Sequence, residues 1–125
     1  MAKQRPLSPH LQVYKPQLTS MMSIMHRITG FALAVGLIVP TWWLVSVTQG
    51  PDAFMQFQEF MRGPVGLSLL AGWAFSLIYH LLNGLRHLMW DTGRGLTLPE
   101  VYRSGWLVIL GSVIVTAALL YSAYN

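Results

Sequence analysis

His80 stands inside a long apolar run that reads Ser76-Leu-Ile-Tyr-His80-Leu-Leu-Asn-Gly84-Leu-Arg86-His87. Trp90 and Asp91 mark its polar end, so His80 lies about ten residues in, or roughly 15 Å deep on a helix. An ionisable group at membrane depth is costly unless it is paired, and so calls for an explanation. A neutral imidazole there is suited to axial ligation of a haem iron. Gly84, one turn along the same face, would let a flat macrocycle approach. The other reading is a histidine bonded to a neighbouring helix, and this segment alone leaves both open. His87 lies almost two turns from His80, roughly 10 Å along the axis, too far for two ligands of one iron. That distance suits one group on the iron and another near the propionates of a haem, where Arg86 could also serve. Ordinary snorkelling to the interface is the competing explanation for Arg86 and His87.

A second polar set, Ser23, His26 and Arg27, opens the first apolar stretch. Ser23 and Arg27 share a face one turn apart. An arginine just inside a membrane boundary needs a carboxylate or a polar ligand, and the serine beside it offers another hydrogen bond. A quinone carbonyl or a haem propionate would use both; anchoring at the interface is the alternative. Asp91 is read as pairing with a nearby arginine, with a role in proton transfer as the less favoured option.

These residues need elements to position them. The chain of 125 residues suffices for one domain, and it is 54% hydrophobic and only 10% charged. Soluble domains are about 25% charged, because polar groups must cover a wet surface. Three apolar stretches, about 22–48, 65–89 and 105–124, each reach the roughly 20 residues that cross a bilayer core as a helix. Helix is the natural conformation there, since every backbone N–H must find a partner inside the segment. The fold class is therefore all-α, integral membrane, with three transmembrane helices over residues 21–125. Pro40 should kink the first span or leave a carbonyl unpaired. Between the first two spans, Phe54, Phe57, Phe60 and Met61 recur at helical spacing with Asp52, Gln56 and Glu59 among them, which predicts a short helix lying in the interface. Residues 1–20 contain Pro6, Pro9 and Pro16 and read as an extended cytoplasmic arm.

Several functions are excluded. Cysteine is absent, which removes disulfides, thiolate metal sites and thiol nucleophiles. There is no Walker loop, no Rossmann glycine pattern and no Ser/His/Asp set, so neither nucleotide binding nor hydrolysis is expected, and no nucleic-acid partner.

Taken together, these segments resemble the larger membrane-anchor subunit of succinate dehydrogenase, the cytochrome b-type subunit of respiratory complex II. Arg5-Pro-Leu-Ser-Pro-His-Leu-Gln-Val-Tyr-Lys-Pro16 looks like the N-terminal arm of that family. Ser23-Ile-Met-His-Arg-Ile-Thr-Gly30 looks like its first-helix signature, and His80-Leu-Leu-Asn-Gly-Leu-Arg-His-Leu-Met-Trp-Asp-Thr-Gly93 like its second. The resemblance implies that His80 is an axial ligand of haem b, with the opposite ligand on a second, smaller anchor subunit. It implies that Ser23 and Arg27 line a ubiquinone site beside an iron–sulfur subunit, with a flavoprotein docked beyond it. Gly84, His26, Arg27, His87 and Arg86 are then candidates for the haem surroundings. Succinate chemistry is expected on the other subunits. A fumarate reductase anchor, another quinol-linked b-type cytochrome and a cofactor-free scaffold are the alternatives.

Charge sets the expected topology. Lys3, Arg5 and Lys15 precede the first span, and Arg94 and Arg103 lie between the second and third, whereas only Arg62 lies in the first link. The N-terminus should face the cytoplasm and the C-terminus the periplasm. Trp42, Trp43, Trp90, Trp106, Tyr121 and Tyr124 fall near span ends, as aromatic belts do. No cleavable signal peptide is apparent and residues 1–20 make a poor mitochondrial presequence, so a bacterial inner membrane is the first choice and a mitochondrial inner membrane the second. Reporters active on only one side of the membrane, fused to each terminus, should place the termini on opposite sides; a cytoplasmic C-terminus would mean a miscounted span.

Overall fold

The computed structural model describes residues 15–124. Its helices are α1 (Leu18–Gly36), α2 (Ile38–Gln49), α3 (Pro51–Arg62), α4 (Pro64–Asp91) and α5 (Leu98–Tyr124). No strand occurs among the described residues. Three segments are long and apolar enough to cross a membrane: Leu18–Gln49, which joins α1 and α2, then Pro64–Asp91 and Leu98–Ala123. The all-α, three-span reading therefore holds. Most of the expected N-terminal arm, including Lys3 and Arg5, lies outside the described residues; Lys15, Pro16 and Gln17 are non-helical, and α1 is under way at Leu18.

Pro40 acts as its chemistry requires. It has no N–H for the Gly36 carbonyl, and its ring crowds that carbonyl. The first span accordingly breaks at Leu37, between α1 and α2. At the break the Leu37 N–H turns to the Ala34 carbonyl at 3.4 Å. Trp73 of α4 reaches across, and its indole N–H donates to the Leu33 carbonyl at 3.5 Å. The close approach needs glycine at position 36, because a Cβ there would overlap the Trp73 ring.

The link between the first two spans is a helix, as predicted. Gly50 turns the chain at φ +108°, and Pro51 opens α3 at a position where its missing N–H costs nothing. Phe57 and Met61 are buried while Met55 and Phe60 are exposed. Trp42 meets Phe57 edge-on at 5.0 Å and Phe60 at 5.2 Å, which brings α3 back against α2.

The third spanning helix, α5, starts earlier than hydropathy suggests, at Leu98 rather than near residue 105. A capping arrangement accounts for this. The Thr97 backbone N–H and hydroxyl both donate to Glu100 Oε2, at 3.2 Å and 2.5 Å, so Thr-Leu-Pro-Glu closes the first turn on itself. A search for apolar residues passes over these polar positions.

α4 packs along both α1 and α5, and α1 touches α5 less extensively. Met22, Tyr79 and Val108 form the apolar centre, with Leu18, Met25, Phe75, Leu82 and Ile109 around it. Polar residues are buried as well: Thr29, Ser46, Ser76, Asn83, Arg86, Ser112 and Thr116. Large apolar side chains face outward instead, with Phe31 72% and Ile38 67% exposed. That inversion suits a bundle in lipid, where small and polar residues bring helices together.

The Gly36–Trp73 contact yields a direct test. Gly36→Ala should destabilise the bundle by about 1–3 kcal/mol through overpacking. Combining it with Trp73→Ala should cost less than the sum of the two single changes, measured by detergent-induced unfolding. Additive losses would mean that the two residues do not meet.

Candidate functional site

His26 and Thr29 of α1 meet His80 and His87 of α4 where these helices pack. The His80 ring lies against α1, with its Nδ1 3.1 Å from the His26 carbonyl and 3.3 Å from Thr29 Oγ1. A carbonyl only accepts, so the geometry assigns the His80 proton to Nδ1. Nε2 then carries the lone pair, and it has no hydrogen-bond partner among the described residues. The His26 ring stacks on His80 with centroids 3.8 Å apart and planes 8° from parallel. A metal–imidazole bond lies in the ring plane, so a ring on the face leaves the coordination direction open. The His26 Nδ1 is buried without a partner.

His87 continues the cluster. Its ring lies 5.2 Å from His26 and meets Trp90 edge-on at 5.3 Å. Its Nδ1–H donates to the Asn83 carbonyl at 2.8 Å, one turn back on the same helix. The expectation that His80 and His87 point the same way is met in that both reach toward His26. Gly84 lies between them and leaves space: a Cβ there would meet only His26 Cε1, at 4.0 Å.

Arg86 departs from both sequence-based readings. It neither snorkels nor faces the histidine cluster with free donors; it is buried at 5% exposure. Nε donates to Ser104 Oγ at 2.9 Å and Nη2 to the Val101 carbonyl at 2.8 Å. Nη1 reaches Asn83 Oδ1 at 3.4 Å and Met22 Sδ at 3.7 Å. The guanidinium carbon lies 4.1 Å above the Trp90 ring. Arg86 thus joins α1, α4 and α5, because the early start of α5 brings two acceptors within its reach. Asp91 is exposed and forms no ion pair with an arginine among the described residues, contrary to the expected salt bridge.

Ser23 and Arg27 lie on α1, Ser23 half-buried and Arg27 exposed. Neither has a hydrogen-bond or ion-pair partner among the described residues, so both side chains are available to a ligand or another chain.

Sequence reasoning passed over Thr29, Gly30 and Asn83. Thr29 is 2% exposed and Asn83 fully buried. Thr29 lies one turn beyond His26, and Asn83 one turn before His87, so both were reachable from helical spacing. Their role depends on which face each helix turns inward, which periodicity in an apolar run does not reveal. Among the described residues no set of three or more His, Cys, Asp or Glu side chains is placed to hold a metal ion. A metal taken at His80 Nε2 would need its remaining ligands from elsewhere.

Comparison with known proteins points to the same family as the sequence resemblance. The profile of the succinate dehydrogenase/fumarate reductase transmembrane subunit family matches residues 1–119. The succinate dehydrogenase cytochrome b556 subunit of Paracoccus denitrificans is 46% identical over 116 residues, covering 93% of this chain and 89% of the relative. Its counterpart in Rickettsia conorii is 39% identical over 115 residues, covering 92% and 90%. The human mitochondrial succinate dehydrogenase cytochrome b560 subunit is 40% identical over 121 residues, covering 92% of this chain and 69% of the human protein. With most of its length matched by the family and by relatives of this similarity, the chain belongs to the succinate dehydrogenase/fumarate reductase transmembrane subunit family.

Proposed function

We propose that this chain is the cytochrome b-type anchor of a succinate:quinone oxidoreductase in an inner membrane. It supplies one axial ligand to haem b, forms part of the ubiquinone-reduction site and holds the flavoprotein and iron–sulfur subunits at the cytoplasmic face. The carrying observation is the tie between His80 Nδ1 and the His26 carbonyl, which leaves Nε2 as a free lone pair inside the membrane. A ligating histidine usually donates its other ring N–H to a carbonyl or carboxylate, which fixes its tautomer and orientation. The unblocked ring plane and the open space at Gly84 support the same reading. A second ligand would come from a smaller anchor subunit, since His26 lies on the face of the His80 ring and no ligand set for a metal ion forms among the described residues.

The unpartnered His26 Nδ1 and the free Nε2 of His87 are suited to the polar edge of a haem. Arg86 is left out of that set, because its donors are engaged within the chain. When bound, haem b supplies a one-electron store beside the quinone. Ser23 donates a hydrogen bond to a quinone carbonyl, and Arg27 stabilises negative charge as the quinone is reduced. Their lack of partners among the described residues is what that role requires. Succinate oxidation takes place on the other subunits.

Two predictions follow from these assignments. His80→Leu should alter the haem spectrum and midpoint potential, while His87→Leu should keep iron ligation and perturb only the surroundings. An unchanged spectrum and potential in the first with haem loss in the second would reverse the ligand assignment. Ser23→Ala and Arg27→Leu should each slow quinone reduction about a hundredfold, as removal of a donor to developing negative charge does. Succinate oxidation by a dye that accepts electrons upstream should persist in the assembled complex. Normal quinone turnover would remove both residues from the site, and equal loss of dye reduction would indicate failed docking.

A further inference from the structure

We propose that Thr29 is a positioning residue for the His80 imidazole, holding its Nδ1–H tautomer and ring plane so that Nε2 is presented to the iron. The inference rests on the haem reading above and concerns how this chain tunes that ligand. Thr29 is buried at 2% exposure although it lies on a membrane-spanning helix. Its hydroxyl hydrogen is directed at the carbonyls of Met25 and His26, at 2.9 Å and 3.0 Å. Its oxygen is thereby left as an acceptor, 3.3 Å from His80 Nδ1. The His26 carbonyl accepts from the same Nδ1–H at 3.1 Å, so the proton is shared between two oxygens of one helical turn.

The residue beside Thr29 completes the seat. A Cβ at Gly30 would lie 3.0 Å from His80 Cε1, the carbon between the two ring nitrogens. That is tighter than most side-chain contacts, so a larger residue at position 30 requires the imidazole to give way by a few tenths of an ångström. The notch at Gly30 sets how near the ring comes, and the two oxygens set its rotation.

Acceptors at Nδ1–H make an imidazole a stronger donor through Nε2 and favour the ferric over the ferrous state. Thr29→Val removes the hydroxyl and keeps the branched shape. In the assembled membrane complex it should retain haem and raise the midpoint potential, with about a tenfold shift in relative ferric over ferrous affinity, or about 59 mV for one electron. Thr29→Ser keeps the hydroxyl and should stay near the wild-type potential. An unmoved potential in Thr29→Val, or an equal shift in Thr29→Ser, overturns the proposal. If Thr29→Val does not assemble, Gly30→Ala decides: it should change the electron paramagnetic resonance g-values of the ferric haem, and unchanged g-values refute the seat. His80→Leu is measured alongside. Its failure to alter the haem would remove the ligand reading itself, whereas an altered His80→Leu beside a normal Thr29→Val overturns only the role of Thr29.

Discussion

Lipid supplies no hydrogen bonds, so a polar side chain that enters the bundle has to be satisfied by a neighbouring helix. The bond from His80 Nδ1–H to the His26 carbonyl meets that demand at the centre of this chain. It joins α4 to α1 and sets the tautomer of the histidine. It also draws the ring into the space that Gly30 leaves open. Tyr79 adds a second tie of the same kind, its hydroxyl donating to the Met22 carbonyl at 3.1 Å. Both ties end on backbone oxygens of α1. The side chains of Ser23 and Arg27 are thereby spared from holding the helices together.

Arg86 shows the same constraint applied to a charge. A buried cation without a partner is expensive, and no carboxylate of the described residues pairs with it. Its charge is met by a carbonyl, a hydroxyl, an amide oxygen and the face of an indole. Dipoles can hold a charge only when all of them are in place. The capping arrangement at Thr97 and Glu100 matters here because it starts α5 early enough to set Val101 and Ser104 on helical turns beside Arg86. Trp90, stacked on the guanidinium, in turn donates its indole N–H to the Gly95 carbonyl at 3.0 Å and ties down the link between α4 and α5. One buried arginine thus organises the end of the bundle next to the histidine cluster.

Toward the other end the organising feature is a break. Pro40 interrupts the hydrogen-bond ladder of the first span, and Trp73 supplies a donor where the backbone no longer does. Small residues on α4 and the outward-facing apolar side chains leave the exterior suited to lipid and to other helices.

The number of spans, their helical nature and the break near Pro40 were determined by the sequence alone, because backbone satisfaction in lipid and the chemistry of proline admit few alternatives. His80 and the Ser23–Arg27 pair were legible for the same reason: polar groups at membrane depth stand out against Leu and Val. The partners of those groups were not legible. His80 met a backbone carbonyl, and a carbonyl leaves no mark in a sequence. Arg86, read as an interfacial or haem-facing cation, turned inward because α5 begins at Leu98 and presents two acceptors to it. Thr29 and Gly30 gained their positions beside the imidazole only when α1 and α4 packed with those faces together. Apolar runs do not encode which side of a helix faces its neighbour, and the tertiary contacts of α1, α4 and α5 decided it.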